Sequence, residues 1–119
     1  MYVNNVPQQI DVPPTIIVGR TLLPIRYVVE PLGAKIFWDD VEKRVTVEFK
    51  NITIDLWIGK NIAKVNGKDT AIDPNNPKVV PLILNGRTML PVRFVAENLG
   101  CDIVWYGNTK TVTIIYPKD

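Results

Sequence analysis

No histidine occurs among the 119 residues. That one absence removes the imidazole general base, the Ser-His and Cys-His nucleophile pairs, and any histidine-built copper or zinc site. There is a single cysteine, Cys101, so no internal disulfide can form and cysteine usage does not fix a redox compartment. A reactive thiol needs a basic neighbour to lower its pKa, and Cys101 reads as a small apolar filler. No apolar run reaches the ~18 residues of a membrane span. Glycine-rich phosphate loops of the P-loop or dinucleotide type are missing. So is any block of Lys or Arg: the 14 basic and 12 acidic residues are spread along the chain. Nucleic-acid binding lacks its electrostatic footprint. The opening Met1-Tyr2-Val3-Asn4-Asn5 does not have the charged-then-apolar layout of a signal peptide, which leaves a cytosolic protein or a domain cut from a larger secreted one.

What remains is an ordinary globular composition, 46% hydrophobic and 22% charged, in a chain of one-domain length. A chain this size buries roughly two-thirds of its unfolded surface and folds without metals or disulfides.

The dominant feature is an internal repeat. Residues 19–49 align with residues 86–116 at a constant offset of 67, and 15 of the 31 pairs are identical. The identities include Gly19/Gly86, Arg20/Arg87, Pro24/Pro91, Arg26/Arg93, Glu30/Glu97, Gly33/Gly100 and Trp38/Trp105. Half of the other pairs exchange one apolar residue for another. Upstream, Val3-Asn4-Asn5 and Ile10-Asp11 echo Val65-Asn66-Gly67 and Ile72-Asp73 at an offset of 62, so the second copy carries five extra residues near Asp73–Lys78. Prolines and asparagines there indicate a turn-rich loop. We divide the single domain into repeat 1 at about 1–50, a linker strand at about 51–64 and repeat 2 at about 65–117.

Each copy reads as β-α-β-β. The Val-Asn segments suit tight hairpin turns. Ile16-Ile17-Val18 and Leu82-Ile83-Leu84 read as short buried strands. Helices are expected to begin near Pro24 and Pro91, with Thr21 and Thr88 as candidate N-caps. In the second copy Val92, Val95, Ala96 and Leu99 fall on one helical stripe, closed by Gly100. Pro31, standing where the second copy has Asn98, predicts a shorter or distorted first helix. A strand ending in tryptophan follows (Lys35–Trp38, Asp102–Trp105), then an alternating strand through Val45, Val47 and Phe49 or Val112, Ile114 and Tyr116. Ile52 to Ile58 alternates similarly and reaches Trp57. The expected fold is α+β: antiparallel sheets packed on two short helices, as two pseudo-symmetric repeats in one compact domain.

Candidate sites are few. Asp39, Asp40 and Glu42 form the one tight acidic cluster, which suits a solvated turn or weak calcium binding, but its spacing is unlike an EF-hand loop and the second copy has Tyr106, Gly107 and Thr109 there. Arg26-Glu30 and Arg93-Glu97 are i,i+4 pairs of a structural kind. Arg20 and Arg87 fit turn anchors bonding carbonyls, or a ligand clamp. Trp38, Trp57 and Trp105 suit core closure, or a stacking surface for sugars.

The segments GRTLLPIRYVVEPLGAKIFW and GRTMLPVRFVAENLGCDIVW, each with its following strand, resemble the copper amine oxidase N-terminal-like, or stalk, domains of bacterial secreted and cell-surface proteins. That resemblance implies a β-sheet wrapped around a helix, lying apart from the catalytic core. Copper ligation and the self-processing tyrosine belong to the other domain, so it implies neither enzyme activity nor a cofactor for this chain. It implies an extracellular, non-catalytic spacer whose partners are other domains of a parent protein. The alternatives are a module binding cell-wall polymer or glycan, and a protein-interaction module that forms a homodimer.

Overall fold

The computed structural model describes residues 2–4, 6–8, 15–106 and 111–117. In chain order the elements are β1 (Tyr2–Val3), β2 (Val6–Pro7), β3 (Thr15–Ile17), β4 (Arg20–Pro24), α1 (Arg26–Val29) with a 3-10 turn at Glu30–Leu32, β5 (Lys35–Asp39), β6 (Arg44–Phe49) and β7 (Ile52–Trp57). They continue with β8 (Ile62–Val65), β9 (Lys68–Ala71), β10 (Leu82–Leu84), β11 (Arg87–Pro91), α2 (Val92–Asn98), β12 (Asp102–Tyr106) and β13 (Thr111–Ile115). The run from β3 to β6 therefore recurs from β10 to β13 at the sequence offset of 67. The protein is α+β, with mostly antiparallel sheets and two short helices. Asn5, Ile10-Asp11, Gly107 and Thr109 lie outside the described residues.

The helices end alike and run differently. In each, the glycine after the last turn takes a left-handed conformation, Gly33 at φ 87° and Gly100 at φ 83°. Gly33 and Ala34 donate back to the carbonyls of Glu30 and Val29, and Gly100 and Cys101 to those of Glu97 and Ala96. These paired bonds form a Schellman cap, which requires a residue tolerant of positive φ. Pro31 cannot donate within a helix, so α1 closes after four residues and continues as a 3-10 turn, whereas α2 runs for seven. The expected distortion is present. The expected threonine caps are not: the N-cap positions are Ile25 and Pro91, without a side-chain cap bond, and Thr21 and Thr88 lie inside strands.

Three sheets surround the helices. The central one has the order β10-β11-β4-β3. At its middle, β4 and β11 pair antiparallel with Leu23 opposite Leu90, Pro24 opposite Met89 and Leu22 opposite Pro91. Exchanging each residue for its partner at the 67 offset leaves this register unchanged. Leu23 and Leu90 join one core with Val28, Val47, Val95 and Ile114, so both copies bury side chains in the same interior. All four stripe residues of α2 are buried in it. The outer strands β3 and β10 are sheet edges and not the fully buried strands expected from their apolar runs. Ile16 is 65% exposed and Ile83 52%, because successive residues of an edge strand face opposite sides and only one side is covered.

The remaining sheets have the orders β5-β6-β7-β8-β9 and β12-β13-β1-β2. Each mixes the two copies: the β8–β9 hairpin docks on the linker strand β7, which pairs with β6, and the β1–β2 hairpin docks on β13. Among the described strands of the second sheet none stands in the place that β7 holds beside β6. After β6 the chain turns through Lys50, at φ 55°, directly into β7. The residue 67 positions beyond Lys50 is Pro117, whose ring holds φ near −65° and forbids that turn. The place beside β13 is taken instead by β1, in the one parallel pairing among the described strands (Tyr2 opposite Thr113, Val3 opposite Ile114).

One device docks both hairpins. Asn66, at φ 50°, donates its backbone N–H to Thr53 O and accepts the Thr53 N–H on Oδ1, both at 2.8 Å. Asn4, at φ 48°, donates its N–H to Ile114 O and accepts the Tyr116 N–H on Oδ1, also both at 2.8 Å. Asparagine suits both needs, since it tolerates left-handed backbone and carries a strand-like acceptor.

Candidate functional site

Two concave sites lie where one copy meets the other, and they correspond to each other. In the larger, of about 740 Å³, the Gly19-Arg20-Thr21 turn faces Pro91 to Phe94, over a floor of Ile103 and Val112. In the smaller, of about 280 Å³, Gly86-Arg87-Thr88 faces Pro24 to Tyr27, over Ile36 and Val45. Every residue of the second set stands 67 positions from its counterpart in the first. The shared Gly-Arg-Thr and Pro-x-Arg residues thus meet across the halves, a juxtaposition that neither copy's local sequence reveals.

In the larger cleft Arg20 forms an ion pair through Nε with Asp73 and donates from Nη1 to Gly19 O at 3.2 Å. The Arg20 hydrogen bond holds the Asp73 carboxyl below its usual range, helped by the backbone N–H of Asn75. Asp73 begins the extra loop of the second copy, and Asn76 of the same loop donates to Val18 O at 2.7 Å. Both contacts latch that loop onto the β3–β4 turn. Of the two roles weighed for Arg20, the geometry therefore displays a turn anchor that also bonds a loop 53 residues away. Arg87 is exposed and lines the smaller cleft.

Arg26–Glu30 at 3.4 Å and Arg93–Glu97 at 3.6 Å are ion pairs on the helix surfaces, with more than half of every side chain exposed. Such pairs contribute a few tenths of a kcal/mol. Pro24 and Pro91 are buried at the ends of the central strands.

The indoles are dispersed. Trp38 is opposite Val45, which puts it on the inward face of its sheet, yet it is 43% exposed and lines the smaller cleft beside Tyr27 and Arg87. Trp57 is opposite Arg44 on the outer face of the same sheet. There it donates to Glu42 at 3.5 Å and borders a separate groove with Lys60, Lys64 and Asp69. Cross-strand partners share a face, so Trp38 and Trp57 do not form one stacking surface, and Trp38 does not close the core. The side chain of Trp105 lies outside the described residues.

The acidic turn is internally compensated. Asp39 Oδ1 accepts the N–H groups of Val41 and Glu42, and Arg44 reaches Asp39 at 3.2 Å and Glu42 at 3.3 Å. Lys43 bonds Asp40 at 3.0 Å and holds its carboxyl below the usual range, with the Trp38 indole assisting. Protein cations and backbone donors thus already engage these carboxylates. Among the described residues no group of three His, Cys, Asp or Glu side chains converges as metal ligands would. Cys101 is buried, and burial, followed by the charge of Asp102, pushes its thiol up to about 11. At neutral pH it stays protonated and is a poor nucleophile.

Sequence reasoning missed Asp73 and Asn76 as latch residues, reading their loop only as a turn. It also missed the docking role of Asn4 and Asn66, although the repetition of Val-Asn at both places was a usable signal.

The family described as copper amine oxidase N-terminal domain matches residues 2–114. Comparison with curated proteins and with solved structures finds no match. Because this match spans both copies and the strand that joins them, the chain belongs to the copper amine oxidase N-terminal domain family.

Proposed function

We propose that this chain is a non-catalytic stalk or spacer module of a larger extracellular or cell-surface protein, built as two pseudo-symmetric copies of one β-α-β-β framework. The observation that carries this reading is the β4–β11 pairing, whose register is unchanged by exchange of the copies. The repeated residues are spent on backbone geometry and on joining the halves: glycines cap helices, prolines end the central strands, and Arg20 ties a distant loop to its own turn. A body interlocked in this way transmits position between flanking domains, its partners in the parent protein. The expected result of a thermal-shift screen across amines, metals and sugars is no stabilisation, with stoichiometric copper and amine-dependent peroxide release both absent. A reproducible shift of several degrees with one compound would replace the spacer reading with a ligand-binding one.

One observation favours a second reading, a cell-wall or carbohydrate-binding module. Trp38 presents a half-exposed indole beside Tyr27, Arg26 and Arg87 in the smaller cleft, a combination suited to stacking on a sugar ring and bonding its polar groups. Pull-down on peptidoglycan and insoluble glycans separates the two readings. Retention above an albumin control that disappears in Trp38→Ala would support binding; retention equal to the control supports the spacer.

A further inference from the structure

The β1–β2 hairpin is attached unlike its counterpart. The β8–β9 hairpin follows β7, the strand it docks on, after only Ile58 to Asn61, so its tether keeps it in place. The β1–β2 hairpin uses the same docking device on β13, a strand more than a hundred residues away in sequence: the Asn4–Tyr116 bond spans 112 residues. Among the described residues its hydrogen-bonded contact with the sheet comprises two ladder positions and the two Asn4 bonds. Val3 is buried against the core, but Tyr2 and Val6 are 40% and 57% exposed. The hairpin is joined to β3 by residues 8–14, a seven-residue connection ending in Pro13-Pro14.

From this arrangement we propose that the β1–β2 hairpin is an exchangeable arm, and that two copies of this chain trade hairpins to form a closed dimer in which β1 of each pairs in parallel with β13 of the other. Exchange keeps every contact, because the docked hairpin is chemically identical in monomer and dimer. The balance is then set by concentration against the tether, the condition under which identical elements swap. Seven residues reach about 23 Å at full extension, comparable with the 27 Å shortest dimension of the molecule. A connection of seven residues sets an effective concentration on the order of millimolar, so exchange should become prominent at ~1 mM protein. The hairpin gives β13 its neighbour on the side away from β12. A reciprocal exchange satisfies both molecules and leaves no undocked hairpin to propagate a filament.

Tyr2 and Thr113 face each other in the parallel register, which makes them a cysteine-pair reporter; Cys101, buried, stays out of the reaction. Purified Tyr2→Cys and Thr113→Cys single variants of the whole chain are mixed in a glutathione redox buffer at ~10 µM and ~1 mM. Disulfide-linked heterodimer is then measured by non-reducing gel and peptide mass spectrometry. The expected result is a heterodimer fraction at least ~10-fold higher at the higher concentration, with the weight-average mass of the wild-type chain rising to about 1.5 times the monomer's over the same range in light scattering. The double variant at low concentration should close its disulfide within one chain, which verifies the seam itself. Heterodimer no more abundant than Tyr2→Cys homodimer at ~1 mM would overturn the exchange. Failure of the double variant to close would overturn the β1–β13 pairing on which exchange rests.

Discussion

Val18 offers a test in which the molecule supplies its own control. It is the first residue of the β3–β4 turn and sits at φ 46°, followed by Gly19 at φ 82°. The matching turn between β10 and β11 has Asn85 at φ 51° and Gly86 at φ 75°. Both are two-residue hairpin turns with positive φ at each central position, which favours Asn-Gly. A left-handed non-glycine residue costs roughly 1–2 kcal/mol, and β-branched side chains are the least tolerant. Asparagine offsets part of this by bonding locally. Val18 is 46% exposed, so replacing it forfeits roughly 0.5 kcal/mol of apolar burial. Its carbonyl, which accepts from Asn76, is kept by any residue. Val18→Asn should therefore stabilise the protein by about 1 kcal/mol, a rise of about 4 °C in Tm for a domain of this size. Asn85→Val should cost a similar amount, and Val18→Thr, still β-branched, should gain nothing. Urea and thermal denaturation of the three variants check the set. A neutral or lowered midpoint for Val18→Asn, together with a neutral Asn85→Val, would refute the strain assignment.

Two further predictions concern the contacts between halves. The Asp73 carboxyl is depressed below 3.8 by Arg20, so the ion pair contributes stability above that pH, and the contribution is lost as pH falls through the lower folded-state value. The stability difference between wild type and Asp73→Asn should thus be constant from pH 7 to about pH 5 and shrink steadily below 3.8; a difference that grows on acidification contradicts the pairing. Leu90→Ala removes a side chain that is 1% exposed at the centre of the β4–β11 pairing and should cost about 2–5 kcal/mol. Leu23→Ala, its counterpart, should cost a comparable amount in equilibrium urea unfolding. A loss under 1 kcal/mol at both positions would remove the shared core from the account.

The local architecture was legible because its signals are short-range. Glycine at the helix ends, the Val92–Leu99 stripe, the Val45-Val47-Phe49 alternation and Pro31 each act within a few residues, and the structure carries them out. The edges were misread because Ile16-Ile17-Val18 is apolar enough for burial, and only strand order reveals that nothing covers Ile16. Trp38 was misread for a related reason: its face is inward, but it stands at the open end of the sheet. The pairing of β4 with β11, the docking of β1 on β13 and the matched clefts depend on contacts distant in sequence. The sequence repeat points to two like segments, while their mode of joining is set by strand register.

The central claim is that the two copies are one interlocked framework sharing a single core. Native-state hydrogen exchange read by mass spectrometry tests it most directly, by comparing amides of β6 in the first copy with those of β13 in the second. The account predicts that both sets exchange through the same global opening and lose protection together as urea is added. Protection of one copy that persists by more than about 2 kcal/mol after the other has opened would show two independent units, and would contradict it.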